Sequence, residues 1–128
     1  MVSESARVLV VDDEPNLCVA VRRILEMGGY SVTTATDGQT ALQLVQEIKP
    51  DVVLLDLMMP GLGGRDVSRR IRESGSDTRI IYFTAKAGAS DPSMLKELYE
   101  GVDAVLIKPA TSRQILSKVG SVLKDARL

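Results

Sequence analysis

Three stretches of this chain are unbroken apolar runs, Val8–Val11 ("VLVV"), Val52–Leu55 ("VVLL") and Ala104–Ile107 ("AVLI"), and each stops at a charged residue. A strand with one wet face alternates apolar and polar side chains, whereas an uninterrupted run suits a strand covered on both faces. Sheets covered on both faces are typically parallel, and parallel neighbours need a long crossover, usually a helix. The runs therefore dictate what must lie between them.

The intervening segments meet that demand. Leu17, Val21, Ile24 and Leu25 recur at helical spacing, with Pro15 suited to the first turn and Gly28 or Gly29 to the stop. A second helix is expected over 37–48, capped by Asp37 and carrying Ala41, Leu42, Val45 and Ile48. A short one over 65–74 rests on Val67 and Ile71 and is stopped by Gly75. The segment 91–101 reads as a helix capped by Asp91, with Pro92 just inside and Gly101 closing it. Last, Thr111 and Gln114 form a T-x-x-Q capping box ahead of Ile115, Leu116, Val119, Val122 and Leu123. The β-branched stretch 30–36 and "RIIYFT" at 79–84 supply two more strands.

Strand and helix thus alternate five times with short connections. That rhythm predicts a single doubly wound α/β domain over 1–128, a five-stranded parallel sheet flanked by five helices and joined by right-handed crossovers. The 128 residues suffice for one proper core, with 45% hydrophobic and 26% charged residues as in ordinary globular chains.

Composition removes several classes of function. The net charge is −1 and the 16 basic residues are scattered, so neither nucleic acid nor a membrane surface is called for. No run nears the ~18 apolar residues of a bilayer span, and "MVSESA" lacks the layout of a signal peptide. Cys18 is the single cysteine, which excludes an internal disulfide and fits a cytoplasmic location. It lies among the apolar positions of its helix and is expected to be buried and inert. Histidine is absent, so a Ser-His-Asp triad, a His-ligated zinc and a phosphohistidine carrier are excluded within this chain.

In an open parallel sheet, ligands bind beyond the carboxyl ends of the strands. The expected strands end in Asp12 and Asp13, in Ala35 and Thr36, in Asp56, in Thr84 and in Lys108. Three carboxylates, a hydroxyl and an ammonium therefore converge on one rim. Clustered carboxylates repel unless a proton or a cation sits among them, and an all-oxygen set suits Mg²⁺. Beside such a cation, Asp56 is placed to act as an oxygen nucleophile toward phosphorus, with Lys108 and Thr84 holding the phosphoryl oxygens.

Taken together, "VLVVDDEPN", "GGYSVTTATDGQTAL", "PDVVLLDLMMPG", the "TA" at 84–85 and the "KPA" at 108–110 resemble the receiver domain of bacterial response regulators in two-component signalling. The resemblance covers essentially the whole chain. It implies a flavodoxin-like fold of strand order 2-1-3-4-5, an order that general rules for this fold already illustrate with a member of the family. By the same resemblance Asp56 is the phosphoacceptor, with Mg²⁺ held by Asp13, Asp56 and the backbone carbonyl of Met58, and by Asp12 mostly through water. Lys108 pairs with the phosphoryl group, Thr84 is the switch hydroxyl, and the Lys108–Pro109 bond is cis. The implied partners are a sensor histidine kinase or a histidine phosphotransfer protein, and an output protein or effector domain that the sequence does not name. Such a domain is a signalling switch rather than an enzyme, with only limited self-phosphorylation and self-dephosphorylation.

Some positions depart from the family. Val105 stands where a Tyr or Phe is usual, with Tyr82 and Tyr99 as nearby aromatic substitutes. Ala110 replaces a common aromatic, Gly63 replaces a frequent Asp before the helix-starting Gly64, and the loop after Thr84 is slightly long. Met58 and Lys86 are placed to tune the lifetime of a phosphoryl group. Two rival functions remain open: a metal-dependent phosphohydrolase with Asp56 as nucleophile, and a phosphorylation-independent interaction module on the same fold. The first typically needs a second acid where this chain has Met58; the intact acid set argues against the other. The Arg pairs at 22–23 and 69–70 read as solvated helix faces.

Overall fold

The computed structural model describes residues 5–85 and 101–125. Five strands, β1 (Arg7–Val11), β2 (Ser31–Ala35), β3 (Val52–Leu55), β4 (Arg79–Ala85) and β5 (Ala104–Lys108), form one sheet in the order β2-β1-β3-β4-β5. Every neighbouring pair is parallel. The helices are α1 (Pro15–Met27), α2 (Gly38–Ile48), α3 (Gly64–Glu73) and α4 (Ser112–Asp125). All of the helix expected over 91–101 except its closing Gly101, together with Lys86 and Tyr99, lies outside the described residues.

The apolar runs are covered on both faces, as their lack of alternation requires. Val8, Val10, Val52, Leu54, Ile81, Phe83, Ala104 and Leu106 pack against α1 and α4. Their neighbours Leu9, Val11, Val53, Leu55, Ile80, Tyr82 and Val105 pack against α2 and α3 on the other side. Each fully buried Leu, Ile or Val contributes about 1.5–3 kcal/mol over its exposed state, so this two-layer core carries most of the stability.

Local signals behave as their chemistry dictates. Asp37 caps α2, its carboxylate accepting from Thr40 N–H at 2.8 Å and Thr40 Oγ1 at 2.9 Å, which holds its pKa below the usual value. The Thr111/Gln114 box is reciprocal, at 2.8 and 3.1 Å. Helix α1 ends at Met27 with Gly28 as its C-cap, and Gly29 takes the positive φ of 95° that reverses the chain. Several boundaries shift by one residue: α3 spans Gly64–Glu73 rather than 65–74, β2 is one residue shorter at each end than the stretch 30–36, and β4 runs on to Ala85. Helix α2 ends in a left-handed Lys49 (φ 48°), a stop that no glycine announces.

At the amino end of the sheet, Arg72 closes the fold. Its guanidinium donates to Thr78 O (2.6 Å), Gly101 O (3.2 Å) and Asp103 Oδ2 (3.0 Å). Asp103 in turn accepts from Ile80 N–H at 2.7 Å. One side chain thereby joins α3, the start of β4 and the entry to β5.

Candidate functional site

The opposite end of the sheet gathers the charges. Chain continuity forces this, because parallel strands that begin together also end together. Asp12 directly follows β1, Asp56 follows β3, and Lys108 ends β5. One carboxylate oxygen from each of Asp12, Asp13 and Asp56 lies within 4.8 Å of the other two. Asp12 and Asp56 are buried (2% and 5% exposed) and Asp13 is exposed, so the cluster has a closed floor and an open mouth.

Two of the carboxylates, Asp12 and Asp56, are held by more than their acidic neighbours. Asp56 Oδ1 accepts from Met58 N–H at 3.1 Å, and Asp12 Oδ1 from Glu14 N–H at 3.0 Å. Lys108 Nζ reaches across from β5 to Asp12 Oδ2 at 2.7 Å and stands 3.8 Å from Asp56 Oδ2. The same ammonium lies 5.3 Å from the centre of the Phe83 ring, whose electron-rich face favours a cation. Burial pushes the Asp56 pKa above the usual carboxylate value. The Met58 N–H and Lys108 oppose that rise, while Asp12 and Asp13 add to it. Among the described residues, three close acids share one ammonium, which leaves the site short of positive charge.

The backbone around Asp56 is set by a close approach. A Cβ on Gly64 would stand 2.4 Å from Asp56 O and 2.8 Å from Leu57 Cα, so only glycine lets α3 begin there. Gly38 does the same for α2, where a Cβ would meet Leu62 O at 2.7 Å. Beneath the rim, Cys18 is buried and donates its thiol to Asp12 O at 3.3 Å. Its pKa is raised by burial first and by Asp12 second, which fits the inert thiol expected.

Of the expected site residues, Asp12, Asp13, Asp56 and Lys108 come together. Thr84 is buried (1% exposed) one residue before the end of β4, level with Ile107 of β5. Met58 presents an exposed side chain (74%) beside the cluster, and the Lys108–Pro109 bond is cis. Sequence reasoning missed Phe83 under Lys108, the tight seat of Gly38, and the two backbone N–H groups on the carboxylates. Strand alternation points Phe83 to the α1 side; nothing in the residue string marks the other features. A broad concavity lies at the far end, beside Arg7, Lys49, Asp51 and Thr78. Some polar groups there pair with each other, Arg7 N–H with Asp51 and the Thr78 hydroxyl with Pro50 O, both at 2.7 Å.

Comparison with known proteins agrees with this geometry. Residues 8–120 match the family model described as response regulator receiver domain. The response regulator MprA of Mycolicibacterium vanbaalenii is 39% identical over 118 residues, covering 92% of this chain and 50% of that protein. The chain thus spans about half the length of the curated relatives it matches. Among solved structures, the chemotaxis protein CheY4 of Vibrio cholerae superposes with a TM-score of 0.84 at 28% identity, covering 93% of this chain and 99% of that one. A BeF3-activated DrrB receiver domain gives 0.81 at 28% identity, with 94% and 99% covered. The match in sequence, in strand order and in the acidic rim places this chain in the response regulator receiver domain family.

Proposed function

We propose that Asp56 accepts a phosphoryl group from a sensor histidine kinase or a histidine phosphotransfer protein, and that the phosphorylated domain switches a surface read by an output protein or effector domain. The observation that carries this reading is the packing of three carboxylates within 4.8 Å around a buried Asp56, with Lys108 Nζ 3.8 Å away.

The donor set fits Mg²⁺: hard oxygen ligands, surplus negative charge, and an exposed Asp13 that leaves room for water. Asp13, Asp56 and the Met58 carbonyl would hold the ion, with Asp12 mostly through water. When bound, it supplies charge neutralisation between the carboxylate and the phosphoryl oxygens. The chain's own residues do the rest. An Asp56 oxygen forms the new bond to phosphorus while the P–N bond to the donor imidazole breaks and that ring takes a proton. The Met58 N–H holds the other Asp56 oxygen, fixing the carboxylate plane. Lys108 turns from its pair with Asp12 toward the phosphoryl oxygens, and the Thr84 hydroxyl donates to another. The product carries about −2 charge and three acceptor oxygens where a carboxylate stood, and that local change drives the switch.

Met58 occupies the place where a phosphohydrolase of similar sheet needs its general acid, so Asp56 acts here as an acceptor rather than a turnover nucleophile. We place this activity in the cytoplasm, with a kinase or phosphotransfer partner; among the described residues no helix is long and apolar enough to cross a membrane. Incubation with a small phosphodonor and Mg²⁺, followed by intact-mass measurement, tests the chemistry. One phosphoryl adduct on the wild type and none on Asp56→Ala supports it. An adduct on both, or on neither, overturns it.

A further inference from the structure

Strand β4 carries two adjacent aromatic residues that serve opposite layers of the molecule. Phe83 belongs to the α1/α4 side and lies under the Lys108 ammonium. Tyr82 belongs to the α2/α3 side, where it is 3% exposed. Side chains two apart on a strand share a face, so Thr84 sits on the Tyr82 side, next in line toward the rim. Across the sheet, Tyr82 pairs in register with Leu55 of β3 and with Val105 of β5. Leu55 is the residue immediately before Asp56. Tyr82 therefore borders the strand that carries the acceptor and lies beside the hydroxyl on its own strand, and among the described residues it is the one aromatic in its layer.

We propose that Tyr82 is a positioning residue that converts displacement of Thr84 into repacking of the α2/α3 layer. The inference rests on the phosphoacceptor reading above. Its physical basis is close packing: interiors hold few voids, so when Thr84 moves toward a phosphoryl group its neighbours must refill the space it leaves. Leu55 is tied into the centre of the sheet, and Val105 is short and stiff about its single side-chain torsion. Tyr82 alone of these three combines large volume with a rotatable ring. In this chain the layer moves from β4 itself, because β5 offers only Val105 at the paired position.

The chain has no Trp and three Tyr, which makes the test direct. The whole chain is labelled with 3-fluorotyrosine, and its three ¹⁹F resonances are assigned with Tyr30→Phe and Tyr82→Phe. Mg²⁺ and beryllofluoride are then added, with bound fluoride read in the same spectra. The expected result is bound fluoride, a moved Tyr82 resonance and an unmoved Tyr30 resonance. In Thr84→Val, which keeps the shape and loses the hydroxyl, most of the Tyr82 movement disappears while bound fluoride is still seen. A purely structural Tyr82 would show no such ligand-dependent shift. Bound fluoride with an unmoved Tyr82, or an equal movement in Thr84→Val, overturns the proposal and leaves the acceptor chemistry standing. No bound fluoride on the wild type overturns the acceptor reading, and this proposal with it.

Discussion

Replacing Asp56 by Asn should make the metal-free protein more stable, although it removes a buried charged group that has a lysine nearby. The acid cluster explains the sign. Repulsion between two carboxylates separated by up to 4.8 Å is about 3.5 kcal/mol at an effective dielectric near 20, and Asp56 faces two of them. Attraction to Lys108 Nζ at 3.8 Å returns about 4.4 kcal/mol on the same scale, leaving Asp56 a net repulsion of roughly 2.5 kcal/mol. Solvent screening at the exposed Asp13 reduces that figure, whereas burial of the Asp56 charge adds to it. Asn keeps an oxygen to accept the Met58 N–H, so no hydrogen bond is forfeited. The expected gain is about 1–2 kcal/mol at pH 7 in EDTA, read from urea unfolding midpoints at unchanged slope. The pH dependence follows with a definite sign. Because the folded-state pKa of Asp56 is raised, the native protein binds more protons than the unfolded chain between the two pKa values. Wild-type stability therefore falls as pH rises through that window, and the advantage of Asn shrinks toward zero as pH is lowered below it. A variant no more stable than wild type at pH 7, or an advantage that grows on acidification, would refute the electrostatic account of the site.

Gly64→Ala should cost about 1–3 kcal/mol, because its Cβ would collide with the Asp56 carbonyl, and it should slow phosphodonor labelling, seen by intact mass. Gly120→Ala is the contrasting case: its Cβ meets nothing closer than the Tyr30 hydroxyl at 3.7 Å, and the helix interior should gain about 0.5–1 kcal/mol in a urea titration. Thr111→Ala breaks the capping box of α4 and should cost about 1 kcal/mol by the same measurement. Met58→Asn should change the decay rate of the phosphorylated protein, since the exposed side chain beside Asp56 is replaced by one that hydrogen-bonds water; a phosphate-release time course unaltered by the exchange rejects that role.

Much of this molecule can be read along the chain because its signals are local. Runs such as "VLVV" have no alternation, so they announce burial on both faces and hence parallel strands. Asp37, and Thr111 with Gln114, act over three residues, and the structure bears them out. The rim is also legible, since the carboxyl ends of parallel strands must meet wherever the helices pack. What stayed hidden depends on atoms brought together from distant positions. The seat of Gly64 against Asp56 O, the Arg72 clamp between Thr78, Gly101 and Asp103, and the Lys108 ammonium over Phe83 are all of this kind. So is the preference of Lys108 for Asp12 over Asp56, 2.7 against 3.8 Å. Residue order names the groups that share an end of the sheet. Strand register and the approach of α3 determine which oxygen each group touches, because a shift of one ångström exchanges one partner for another.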